Sequence, residues 1–296
     1  MSGQCRCKGN VEGQHCDICK PGHFDLAYDN EFGCLPCFCY GHASVCRSAS
    51  GYSKFSIDSV FARSSEKWKA AFKSGQDAQL QYNAITKNIG VRTIGMESVY
   101  FIAPEEYLGD QKASYNQFLS FTLRIGEEGP LTTFEDVILE GAGMTISQPI
   151  FGQGNPVPNT RSQSYRFKLH EDPSAYGWSP RLRAKDFISV LANLTAIKIR
   201  ATYTRDGTGY IDDVRLETSK QMNMGSRATG VEMCTCPQGY IGQFCESCAP
   251  GYRHNPPGGG SFSECVPCNC NGHTNQCDDE SGKEFSVGQS RTAFGY

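Results

Sequence analysis

From Phe118 to Ile125 the chain alternates strictly: Leu119, Phe121, Leu123 and Ile125 are apolar, and Ser120, Thr122 and Arg124 are polar. A period of two sends alternate side chains to opposite faces of an extended strand, so this segment predicts a strand with one buried face. The same pattern returns in Tyr165, Phe167 and Leu169 against Arg166 and Lys168, and in Ile197, Ile199, Ala201 and Tyr203 against Lys198, Arg200 and Thr202. Residues 137–140, 144–149 and 209–217 read as further strands, and Gly/Pro/Asn-rich turns at 152–158 and 206–209 fall between them. Separate half-buried strands joined by turns predict an antiparallel sandwich or barrel. One helix is predicted over 185–194, where Phe187, Val190, Leu191 and Leu194 share a face; such a stripe reads as core.

At both ends of the chain this periodicity gives way to cysteine. All 16 cysteines lie in 5–46 or 234–277, and the stretch between contains none. The pattern Cys5-x-Cys7-x8-Cys16-x2-Cys19-x14-Cys34-x2-Cys37-x-Cys39-x6-Cys46 returns as Cys234-x-Cys236-x8-Cys245-x2-Cys248-x16-Cys265-x2-Cys268-x-Cys270-x6-Cys277. Intervening residues repeat as well: Gly13-Gln14 with Gly242-Gln243, Pro21-Gly22 with Pro250-Gly251, and Gly41-His42 with Gly272-His273. Such spacing has two chemical readings, thiolate metal clusters or disulfides. Segments this poor in apolar runs cannot bury enough surface to fold unaided, which favours covalent staples. Zinc has the Cys-x2-Cys pairs in its favour, but it would require four closed tetrahedral sites, and the x8 and x14 gaps fit ligand spacings poorly. His42 and His273 read as turn hydrogen-bonders, with ligation the alternative.

The eight-cysteine register, with Gly-x-x-Cys-x-x-Cys-x-Pro-Gly and Cys-x-Cys-x-Gly-His, resembles the laminin-type EGF-like module. Between the modules, Tyr-Phe-Ile-Ala-Pro at 100–104, Leu-Glu-Gly-Ala-Gly at 139–143 and Gly-Tyr-Ile-Asp-Asp-Val at 209–214 resemble the laminin IV type A domain. With Gly-Gln-Phe-Cys-Glu at 242–246, the resemblance is to a γ-chain short arm; perlecan carries the same domain combination and is the alternative parent. The resemblance implies a mainly β chain: a jelly-roll-like antiparallel β-sandwich flanked by small disulfide-rich EGF-like modules. It places a partial module at 1–36, the first part of a split module at 37–46, the sandwich at 47–233, the second part of the split module at 234–267, and an incomplete module with a tail at 268–296. It further implies the bridges Cys7–Cys16, Cys19–Cys34, Cys37–Cys46, Cys39–Cys234, Cys236–Cys245, Cys248–Cys265 and Cys268–Cys277. Cys5 and Cys270 are left without family partners, and residues 284–296 depart from the module pattern.

A formal net charge of −3 without a Lys/Arg run provides no footprint for nucleic acid, and no apolar run approaches the ~20 residues that span a bilayer. The start of the chain has no secretory signal, which at this cysteine density suggests a piece of a longer secreted protein. Candidate chemistry is sparse. Asp212-Asp213 could hold a structural Ca²⁺, although adjacent strand residues face opposite ways. His170-Glu171-Asp172 reads as a solvated strand end or turn, and Glu105-Glu106 lack the facing geometry that paired glycosidase carboxylates need. Trp68, Trp178 and Tyr176 would form a sugar-stacking platform if exposed; core packing is the plainer reading. Asn193-Leu-Thr195 is an N-glycosylation acceptor in a secreted context. No catalytic residues and no required cofactor are expected. The resemblance implies a basement-membrane structural glycoprotein that assembles with laminin α and β chains through regions outside this chain and meets matrix proteins or cell-surface receptors. The alternative function is a carbohydrate- or receptor-binding module.

Overall fold

The computed structural model describes residues 5–269, 277–281 and 283. The expectations for Cys270, His273 and the tail 284–296 lie outside the described residues. The chain divides into two compact units, Gly51–Ala228 and the sequence on either side of it.

Gly51–Ala228 is an antiparallel β-sandwich. Its strands are β1 (Tyr52–Ser59), β2 (Lys69–Phe72), β3 (Leu80–Asn83), β4 (Asn88–Arg92), β5 (Val99–Ile102), β6 (Phe118–Ile125), β7 (Val137–Gly141), β8 (Met144–Gln148), β9 (Gln163–Lys168), β10 (Leu194–Arg200) and β11 (Thr208–Gln221). One sheet runs β8-β7-β10-β5-β2; the other runs β9-β6-β11-β4-β3, with β1 also paired to β11. Registers such as Leu119↔Phe167, Leu123↔Ile211 and Leu139↔Ile197 align the apolar positions across each sheet. Alternate residues of β6 are therefore buried together with Phe167, Ile199 and Ile211, each such side chain contributing roughly 1.5–3 kcal/mol.

The helix α1 (Ala184–Ala192) has no side-chain N-cap, but Asp186 in its first turn favours the positive end of the helix and pairs with Arg183 at 2.9 Å. Its apolar face enters the core, with Phe187 edge-on to Trp178. Two motif glycines are explained by close backbone approach. A Cβ on Gly141 would stand 2.1 Å from the Val190 carbonyl oxygen of α1, and one on Gly209 would stand 1.8 Å from that of Ala201.

β11 is longer than the predicted 209–217 and changes neighbour midway. Residues 208–211 pair with β4 and residues 214–221 with β1. The changeover is a bulge opposite β6 at which Asp213 takes φ 47°.

The compact sandwich starts at Gly51 and ends at Ala228, inside the 47–233 that the resemblance implies. The difference arises because Cys46–Ser48 and Glu232–Cys234 form their own two-stranded ladder in the other unit. That unit otherwise consists of two-residue to four-residue hairpins held by disulfides. No helix among the described residues is long and apolar enough to cross a membrane.

Candidate functional site: the closure of the split module

Among the described residues, seven disulfides join Cys7 to Cys16, Cys19 to Cys34, Cys37 to Cys46, Cys39 to Cys234, Cys236 to Cys245, Cys248 to Cys265 and Cys268 to Cys277. Six close separations of 9 to 17 residues; Cys39–Cys234 closes one of 195 and so brackets the whole sandwich. Cys5 is exposed and carries a free thiol.

The long bridge sits in a turn that needs help to form. Cys39 and Tyr40 both take left-handed backbone conformations, φ 43° and 48°, which are costly for residues with a Cβ. The amides of Phe38 and Cys39 consequently turn inward, and the buried carboxylate of Glu232 receives both, at 2.7 and 3.0 Å. Glu232 is in turn fixed by the ladder, Glu232↔Ser48 and Cys234↔Cys46. Gln243 completes the frame: its Nε2 donates to the Glu232 carbonyl and its own carbonyl accepts the Cys234 amide, each at 2.8 Å. His42 donates from Nε2 to the Ser261 carbonyl at 2.8 Å and stacks on Tyr240, which fits a turn-stabilising role.

Among the described residues, sulfur meets carboxylate or imidazole in three clusters: Cys37/Cys46/Glu232, Cys39/Cys234/Glu232 and Cys248/Cys265/His254. In each the two sulfurs are bonded to one another, so none offers a thiolate to a metal.

The other candidates are scattered. Asp212 is half-buried, Asp213 is exposed, and the bulge removes the simple alternation assumed for them. One Asp212 oxygen accepts the Asp213 amide at 2.8 Å, and burial raises the Asp212 carboxyl above its usual range. No third acidic, imidazole or thiol group clusters with them among the described residues. His170 lies just past the end of β9 but is not solvated: it is buried, stacked on Tyr115, with Nδ1 accepting the Asp172 amide at 3.1 Å. Glu171 accepts a 2.7 Å bond from the Tyr115 hydroxyl. Glu106 pairs with Lys67 on the surface, and Glu105 lies beside it in one short 3₁₀ turn rather than across a cleft. Trp68 and Trp178 are 3% and 2% exposed and donate to Ser59 and to the Lys168 carbonyl, so the stacking platform does not exist on the surface. Tyr176 is half-buried, edge-on to His170. Asn193 is exposed at the C-cap of α1, and Thr195 donates to the Glu140 carbonyl.

Sequence reading misses Glu232 altogether, because its partners lie 193 and 194 residues away and nothing local marks it. The buried pair Asp136–Arg200, 3.0 Å apart, is missed for the same reason. Asp136 also receives the amides of Thr133 and Ile150 and pins a loop to the sheet.

Residues 100–232 match the Laminin B (Domain IV) family, and residues 1–34 and 226–265 match the Laminin EGF domain family. Human laminin subunit gamma-2 is 42% identical over 285 residues, covering 96% of this chain and 24% of its own length. Human laminin subunit gamma-1 is 46% identical, covering 95% of this chain and 20% of its own. The basement membrane proteoglycan of Caenorhabditis elegans is also similar, at 33% identity over 95% of this chain and 8% of its own. Among solved structures, the L4b domain of human laminin alpha-2 aligns with 57% of this chain and 99% of itself, at a TM-score of 0.45 and 16% identity. The chain thus spans a quarter or less of the laminin subunits it matches. It belongs to the laminin family, with a domain IV sandwich set inside laminin-type EGF-like modules as in the γ subunits.

Proposed function

We propose that this chain is a structural, non-catalytic segment of a secreted basement-membrane glycoprotein, in which a disulfide-stapled arm carries the sandwich without loading it. The observation behind this reading is the Cys39–Cys234 bridge together with the Cys46–Ser48/Glu232–Cys234 ladder. Tension arriving at Cys39 passes through sulfur to Cys234, and the covalent path skips Gly51–Ala228. The sandwich is then free to present loops to matrix proteins or receptors, while assembly with laminin α and β chains falls to other parts of the parent. The γ-like sequence favours this parent over the proteoglycan, whose identity is lower. Burial of both tryptophans removes the basis for the aromatic sugar platform.

Single-molecule pulling on the secreted chain tests the bypass. Without reductant the wild type should release none of the length stored in the sandwich. The double variant Cys39→Ser/Cys234→Ser should unfold it with a gain of roughly 60 nm, from ~3.3–3.6 Å per extended residue. The same step in the unreduced wild type would overturn the proposal.

A further inference from the structure

A disulfide opens when an external thiolate attacks one of its sulfurs and joins it in a mixed disulfide. The S–S bond breaks, and its electron pair leaves on the other sulfur as a thiolate; a second thiol then releases the mixed disulfide. Which sulfur can be reached therefore decides where the departing charge appears. At the Cys39–Cys234 bridge the choice is forced. Cys39 is 0% exposed and Cys234 is half-buried, so attack falls on Cys234 Sγ and the electron pair leaves on Cys39 Sγ.

A carboxylate already stands at that point. Glu232 Oε2 lies 3.8 Å from Cys39 Sγ. A disulfide sulfur has no proton to donate, so this is a contact and not a hydrogen bond, and it does nothing to accommodate a second negative charge. The carboxylate is also held in place. Its two oxygens accept the Cys39 and Phe38 amides, and its backbone is paired in the ladder with Ser48. Glu232 is only 6% exposed, so solvent and salt screen it weakly. The same side chain clusters within 4.8 Å with both sulfurs of Cys37–Cys46 and with both sulfurs of Cys39–Cys234.

We propose that Glu232 is a kinetic shield for the long bridge against attacking thiols. Its charge opposes the thiolate that must form on Cys39, and so slows exchange at the one sulfur of the pair that solvent reaches. A carboxylate and a departing thiolate this close, in surroundings less polarisable than water, should slow the step by at least about tenfold. The bridge that is guarded in this way closes the longest loop, a separation of 195 residues. The protection acts whether or not the bridge bears load, so its failure would leave the mechanical bypass intact.

Reduction of the folded, secreted chain by dithiothreitol without denaturant tests this, with aliquots blocked by N-ethylmaleimide and the linked peptides followed by mass spectrometry. Cys19–Cys34 is the internal reference. It too joins a half-buried to a buried cysteine, but no acidic group clusters with it among the described residues. In the wild type Cys39–Cys234 should outlast it. Glu232→Gln keeps the shape and one acceptor oxygen but removes the charge. It should speed loss of Cys39–Cys234 by at least about tenfold and leave Cys19–Cys34 unchanged. Loosening of the turn is told apart from loss of charge in two ways. The Cys234 amide donates to the Gln243 carbonyl, so its hydrogen exchange reports opening of the same frame. Gln243→Ala removes the side-chain bond to the Glu232 carbonyl while the carboxylate stays. Reduction of Glu232→Gln should accelerate well beyond its Cys234 amide exchange, and Gln243→Ala should gain far less. A wild type that loses Cys39–Cys234 before Cys19–Cys34 would overturn the proposal. So would an unchanged rate in Glu232→Gln, a gain no larger than that of the amide exchange, or an equal gain in Gln243→Ala.

Discussion

Burial holds His170 in its neutral form. Its Nδ1 already accepts the Asp172 amide, so protonation there would remove that bond and place a charge between Tyr115 and Tyr176. Burial accordingly pushes the imidazole down to about 4; Asp172 opposes this shift and Lys168 adds to it. Between that value and the usual ~6.5 the unfolded chain binds a proton that the fold refuses, so stability rises with pH. The contribution is complete above about 6.5 and is lost as pH falls towards 4, a span of roughly 3 kcal/mol at 1.36 kcal/mol per pH unit. Glu171, whose carboxyl burial raises, has the opposite sign just above the ordinary carboxylate range and returns part of this. Urea midpoints of the wild type should therefore fall between pH 7 and pH 4.5, and those of His170→Gln should fall less. Parallel pH profiles would show that His170 is not the titrating group.

The side-chain amides of Gln153 and Asn155, which cover the outer edge of β9, make a similar argument for a whole element. Gln153 occupies a left-handed conformation, φ 58°, a cost its side chain offsets by bonding both backbone groups of Lys168. Replacing Gln153 and Asn155 by alanine removes five hydrogen bonds, two between Gln153 and the Lys168 backbone, two between Asn155 and the Arg166 backbone and one from Asn155 to the Gly152 carbonyl, each contributing about 0.5–1.5 kcal/mol net. In the double variant the Arg166 and Lys168 amides should exchange with solvent at least about tenfold faster while those of β6 hold; unchanged exchange would mean that the edge is protected by something else. None of this is visible in the sequence, where 152–158 reads only as a turn. β6 has the predicted bounds because one of its faces is core and the other solvent, which writes the period of two into its residues. β5 is four residues long and buried at Val99, Tyr100 and Phe101 in succession, so it leaves no alternation to find. β1 lies outside β11 with only scattered burial, and missing it also cut the predicted β11 short. The pairing of the cysteines followed from the family frame, whereas Glu232, which holds the turn carrying Cys39, depends on a contact that only the fold creates.

At the scale of the whole chain, the disulfides differ less in geometry than in what they restrain when the protein is unfolded. A bridge closing a short loop removes modest chain entropy, about 3 kcal/mol for 15 residues in the loop-entropy account, and acts within its own hairpin. Cys39–Cys234 spans 195 positions, and the same account puts it at roughly 5 kcal/mol, exerted almost wholly on the unfolded ensemble of the sandwich. The logarithm makes the energy grow slowly with loop length, but the compaction it imposes is large, because the unfolded sandwich must remain a closed ring. Opening the ring with Cys39→Ser/Cys234→Ser should therefore lower the urea midpoint of the sandwich. It should also steepen the dependence of stability on urea, since a linear unfolded chain exposes more surface than a cyclic one. A lower midpoint with an unchanged slope would instead locate the loss in the native turn around Cys39 and Glu232. The two outcomes separate a bridge that shapes the unfolded chain from one that braces the folded module.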